Sequence, residues 1–166
     1  MTKAMKKLFL MAAVACLALF VSCEKGVDHT GDSTGGLYGI WALKTKTEIT
    51  HKTDGDVTKE VDYSGVHFYL TLSEFPFPHA LGKKGSLTSL DLDDVDVDAV
   101  QFTYNETQKK ISFRNAIWLS EGLTYHMILS GTFDVVELTD KTLVLRYDDD
   151  LAKVSTIYAY ERMKKQ

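Results

Sequence analysis

The chain has 166 residues, enough for one domain with a real core, and 45% of them are hydrophobic. Against 19 Lys and Arg stand 23 Asp and Glu, a formal net charge of −4 that speaks against nucleic acid and against adhesion through a basic surface. Its 2 cysteines, Cys16 and Cys23, fall together near the start, so no disulfide supports the residues that follow.

Residues 1–22 read as an export leader. Lys3, Lys6 and Lys7 make a basic start, and the apolar run from Leu8 to Val21 is short for a transmembrane helix. Polar residues begin directly after Cys23. The order basic start, apolar run, Ser22-Cys23 resembles the signal peptide of bacterial lipoproteins, where a small residue precedes the cysteine that is lipidated. The resemblance implies cleavage before Cys23, palmitate-type acylation of that residue, and attachment to a lipid bilayer of the cell envelope, the outer membrane of a Gram-negative cell. Ala13-Val14-Ala15-Cys16 has a similar form but leaves an apolar tail behind it, which makes Cys23 the better site. An ordinary secretory leader is the alternative. Cleavage removes three lysines and no acid, so Lys and Arg fall from 19 to 16 against 23 acids, a net charge of about −7. Attachment then rests on the acyl chains, of which more than one makes anchoring durable.

Residues 23–36 are polar and glycine-rich and read as a flexible tether, with His29 simply solvated in it. The domain proper is expected over 37–166. Gly39 to Thr50 is a long first strand, Asp54-Gly55 a turn, and Val57 to Val61 a return arm. Val66 to Leu72 alternates, with Phe68, Leu70 and Leu72 on one face and His67, Tyr69 and Thr71 on the other.

Phe75-Pro76-Phe77-Pro78-His79-Ala80-Leu81-Gly82 is not expected to form a regular central strand, because its two prolines remove donors and restrict the residues before them. Large apolar groups in such a segment fit either a loop folded over one end of the core or a rim that touches a ligand or partner. Leu87 to Val97 carries closely spaced aspartates. It lacks the glycine and terminal glutamate of a calcium loop and reads as a solvated edge that discourages sheet-to-sheet association.

Val100 to Tyr104 and Lys110 to Phe113 form a hairpin around Asn105 to Gln108. Asn115 to Leu119 follows, then a break at Ser120-Glu121-Gly122. Tyr125 to Leu138 is too long for an unperturbed strand, and its apolar phase shifts at Val135-Val136, which points to a bulge or bend near Gly131. Thr142 to Tyr147 and Val154 to Arg162 complete an antiparallel meander with short connections. The fold class expected is all-β: an antiparallel up-and-down barrel of about eight strands, since closure removes the sheet edges.

No phosphate loop or nucleophile elbow is present, and the five histidines His29, His51, His67, His79 and His126 are scattered. His67 and His126 can meet across strands, but too few further ligands accompany them for a metal. No enzyme activity, cofactor or metal is expected. Gly39-Ile40-Trp41 on the first strand, with Arg162 at the end of the last, resembles the lipocalin (calycin) arrangement, and the whole domain with its leader resembles the lipocalin-like lipoproteins of Bacteroides-type bacteria. That resemblance implies a barrel end closed by Trp41 under Arg162, with Arg146 the weaker candidate arginine. It also implies an apolar cup for a small hydrophobic ligand, reached past Phe75, Phe77 and Leu81, with Tyr69 and His67 as further candidate contacts. The competing expectation is a cup filled by Phe68, Leu70, Phe102, Phe113, Ile117, Leu143 and Leu145. In that case the protein is an interaction or inhibitor module presenting its Phe75–Leu81 segment to a protein partner.

Overall fold

The computed structural model describes residues 36–85 and 98–163. Residues 1–35, with the expected leader, Cys23 and the expected tether, and the aspartate-rich stretch 86–97 lie outside them. Among the described residues nine strands follow one another: β1 (Gly39–Thr50), β2 (Val57–Asp62), β3 (Phe68–Ser73), β4 (His79–Lys84), β5 (Val100–Asn105), β6 (Lys110–Glu121), β7 (Tyr125–Leu138), β8 (Thr142–Asp149) and β9 (Val154–Arg162). β1 pairs antiparallel with both β2 and β3, each strand from β3 to β8 pairs antiparallel with the next, and β1 also pairs with β9, which closes the sheet. The result is an all-β, closed, lipocalin-like barrel of eight strands.

The ninth strand is accounted for by β1, whose one edge is shared. Its first residues, Gly39–Ala42, pair with β3, and its last, Thr45–Thr50, pair with β2. β2 and β3 are thus two pieces of one barrel position, broken at Tyr63–His67. His67 sits there at φ 57°, a left-handed conformation uncommon for a side-chain-bearing residue. Pro76 and Pro78 confine the break between β3 and β4 to five residues. The expectation that Phe75–Gly82 is irregular is therefore corrected at its second half: from His79 onward every residue has an N–H, and His79–Lys84 pairs with β3 throughout.

The register fixes which connections share an end. Gly39 lies opposite Leu72, and Trp41 lies opposite Arg162. The starts of β1, β4, β6 and β8 and the ends of β3, β5, β7 and β9 therefore meet at one end, here called proximal. Inward side chains alternate along each strand and join one apolar cluster that includes Trp41, Phe68, Leu70, Phe113, Leu129 and Leu145. An apolar interior is the reverse of a membrane-spanning barrel, whose apolar band faces out.

Long strands must bend to stay on a small barrel. β1 slips register at Lys44, β6 between Phe113 and Ile117, and β7 between Val135 and Glu137, where Val136 is the extra residue. Gly131 adopts φ 81° opposite the β6 irregularity. Beyond these bends the β6–β7 hairpin lies across the distal end of the core. Its own Ile117, Met127 and Leu129 are buried in that core. A Cβ on Gly82 of β4 would stand 2.5 Å from Ile117, so only glycine lets β4 approach so closely.

Candidate functional site

The proximal end has the closure expected of it. Trp41 has no exposed surface and donates its indole N–H to the Leu37 carbonyl at 2.9 Å. The Arg162 guanidinium lies over the indole, 4.2 Å from the ring centroid, and donates to the Tyr38 carbonyl at 2.8 Å and to the Gly36 carbonyl. Gly39 is explained by the same contact. It takes φ 148°, and a Cβ there would stand 2.5 Å from a guanidinium nitrogen. Arg146 instead binds Asp148, far from Trp41 in the ladder.

The five residues expected around a ligand are not brought together. Phe75 and Phe77 occupy the β3–β4 turn at the proximal end, the end that Trp41 fills, with 72% and 38% of their surfaces exposed. Leu81 lies on β4 and is half-buried. Tyr69 packs with Ile40 and Ala42 in a cluster separate from the core, and its hydroxyl meets His67 Nδ1 at 3.3 Å. His126 faces the Leu123 carbonyl, not His67. Phe77 does line an open groove of about 440 Å³ with Phe102 and Phe113 along β5 and β6. Behind it the barrel is packed. Phe68, Leu70, Ile111, Leu129, Leu143 and Leu145 have no water-accessible surface, which residues lining an open cup would have.

A different opening lies in the barrel wall. β8 pairs with β7 only from Asp134 to Leu138, so no described strand covers that edge of β7 before Asp134. Two tyrosine hydroxyls bond to the edge instead. Tyr63 accepts from the His126 N–H at 2.8 Å and donates to the His126 carbonyl at 3.0 Å. Tyr158 accepts from the Ile128 N–H at 3.3 Å and donates to the Ile128 carbonyl at 3.1 Å. A phenol is both donor and acceptor and can therefore replace one rung of a ladder. Burial, the largest cause, pushes the Tyr158 hydroxyl up to about 12.

The wall left between β7 and the β8–β9 pair holds a cleft of about 350 Å³. Ile128, Phe133 and Tyr147 give it apolar and aromatic sides, and Tyr158 forms its inner wall. Phe133 and Tyr147 stand 5.4 Å apart between centroids. Lys46, Ser130 and Thr156 supply the polar groups. The Lys46 ammonium lies 5.9 Å from the Tyr158 ring and 2.7 Å from the Glu48 carboxylate, so its charge is compensated on the spot.

Beyond this cleft, at the distal ends of β1, β8 and β9, is a cluster with the connectivity of a Ser-His-Asp triad. His51 Nε2 is 2.8 Å from Ser155 Oγ, and His51 Nδ1 is 3.1 Å from Asp56. Its proton arrangement is different. Ser155 donates to Asp148 at 2.5 Å, and that bond is the first cause holding the Asp148 carboxyl below its ordinary range. With its one proton so committed, Ser155 Oγ accepts from His51 and, at 3.3 Å, from Arg146. Ser155 is also only 1% exposed. A nucleophile needs the opposite: a proton passed to the histidine, and access. The cluster is a clasp across β1, β8 and β9. Among the described residues no three His, Cys, Asp or Glu side chains converge as a metal site.

Comparison with known proteins finds no matching family model, no matching curated protein and no matching solved structure. The lipocalin-like architecture therefore rests on this chain's own strand order, closure and Trp41–Arg162 stack.

Proposed function

We propose that this is a non-enzymatic binding protein, anchored to the cell envelope through acylated Cys23, that holds a small amphipathic molecule in the cleft between β7 and the β8–β9 pair. The observation that carries the reading is the uncovered edge of β7. The barrel wall parts where aromatic sides and a few polar groups converge, at the lower end of the size range of small-molecule sites. The chemistry of the cleft favours a neutral polar head. Glu48 beside Lys46 offsets part of the attraction of Lys46 for a carboxylate, whereas a hydroxyl or carbonyl can use Lys46, Thr156 or Ser130. The apolar body of the ligand lies against Ile128, Phe133 and Tyr147.

The test is uptake of two fluorescent probes with similar rings, neutral N-phenyl-1-naphthylamine and its sulfonated counterpart. The neutral probe binds at micromolar concentration and more tightly than the anion. Ile128→Arg weakens it at least about tenfold while the urea midpoint stays nearly unchanged, because Ile128 is half exposed. Absence of uptake by the wild type, or equal uptake by Ile128→Arg, removes the reading. A protein-interaction or inhibitor module is the second reading. It is favoured by the packed interior together with the exposure of Phe75 and of Trp118, which faces Ile128 across the β6–β7 ladder.

A further inference from the structure

Phe75 and Phe77 are held out from the proximal end by a five-residue turn with prolines at 76 and 78, which limits how far the backbone can fold them back. Two phenylalanines presented to water on a turn are a liability that a partner surface removes. The identity of that surface follows from where the chain arrives. Gly36 is fixed at the same end, its carbonyl bound by the Arg162 guanidinium beside the Trp41 stack. The described chain therefore begins at the proximal end. Between Cys23 and Gly36 the chain can span at most about 45 Å. An acyl group on Cys23 thus keeps Gly36, at the end that carries the Phe75–Phe77 turn, within about 45 Å of the bilayer. By contrast Leu123, 98% exposed at the tip of the β6–β7 hairpin, lies at the distal end.

We infer that the β3–β4 turn is a second, protein-encoded membrane contact: Phe75 and Phe77 settle among the lipid headgroups and orient the barrel with its proximal end down. Aromatic side chains favour that interfacial layer, and one further apolar contact adds to what acyl chains supply. In this orientation the β7–β9 cleft and the distal hairpin face away from the bilayer. The inference rests on acylation of Cys23 and is independent of what the cleft binds.

The experiment uses the full chain, processed in a Gram-negative host and reconstituted into phosphatidylethanolamine–phosphatidylglycerol vesicles. Three variants, Phe75→Cys, Phe77→Cys and Leu123→Cys, each carry an environment-sensitive fluorophore, and the mass of the N-terminal peptide reports acylation. The expected result is an acylated Cys23, with the labels at 75 and 77 blue-shifted and quenched severalfold by brominated lipid and the label at 123 unaffected. If Cys23 is acylated but the label at 75 is as wet as the label at 123, the turn is not a membrane contact, although the anchor stands. An unacylated Cys23 removes both. Burial of the label at 75 by a co-purifying envelope protein without lipid assigns the turn to a protein partner and likewise overturns the inference.

Discussion

Replacing Arg162 with alanine removes three things at once from the proximal end. The stack on Trp41, at 4.2 Å in a desolvated setting, contributes up to about 2 kcal/mol. The bonds to the Tyr38 and Gly36 carbonyls are charge-assisted, about 1.5–3 kcal/mol each, less whatever those carbonyls recover from water. A loss of about 3–5 kcal/mol is expected in urea unfolding followed by far-UV circular dichroism. Trp41→Ala is expected to cost a similar amount, about 3–5 kcal/mol, through its cavity. Because the two side chains touch, the double variant loses about 1–2 kcal/mol less than the sum. Gly39 supplies an independent check. Gly39→Ala costs about 1–3 kcal/mol from its backbone conformation, plus displacement of the guanidinium 2.5 Å away. In the Arg162→Ala background the second part vanishes, and Gly39→Ala becomes milder. Simple additivity in both cycles would refute the account of how this end is closed.

Tyr158→Phe leaves an N–H and a carbonyl of Ile128 without their phenol, at a cost of about 1–3 kcal/mol, and hydrogen exchange at the Ile128 amide quickens more than at Ile111. The same hydroxyl gives an alkaline signature. Its folded value is raised, so its contribution is complete below an unfolded value of about 10 and is lost as pH rises toward about 12, by up to about 2 kcal/mol; Tyr158→Phe lessens that fall. Asp148 has the opposite sign. Its folded value is lowered by Ser155 first, so its contribution is present above the unfolded value and disappears as pH falls through the folded one. Exposure and solvent screening keep this below about 1 kcal/mol. Asp148→Asn flattens the acid limb of the stability profile by that amount.

The strands were legible because their spacing is local. Alternation in Phe68–Leu72, the hairpin around Asn105, and the phase change at Val135-Val136 each need only neighbouring residues, and each appears in the ladder. The Gly39-Ile40-Trp41 motif was legible for a similar reason, although the steric cause of Gly39 requires Arg162, 123 positions away, to be in place. The start of β4 was obscured by Pro78, whose influence reaches the residue before it and not the residues after. The wall cleft left no signal in the sequence. It depends on where β8 runs out against β7 and on hydroxyls of Tyr63 and Tyr158 that bridge 63 and 30 positions. In β9, Tyr158 reads as one more inward aromatic. His51 and Ser155, 104 positions apart, belong to opposite ends of the domain's sequence and meet only because β1 pairs with β9.

Amide chemical-shift mapping during titration with the neutral naphthylamine probe locates a ligand without any substitution. The binding proposal expects saturable shifts at Ile128, Ser130, Tyr147, Thr156 and Tyr158, the residues around the parted wall, and none at Gln101, Thr103 and Arg114 beside Phe77. Shifts confined to the Phe77 groove, or none at all up to the solubility limit of the probe, would contradict it.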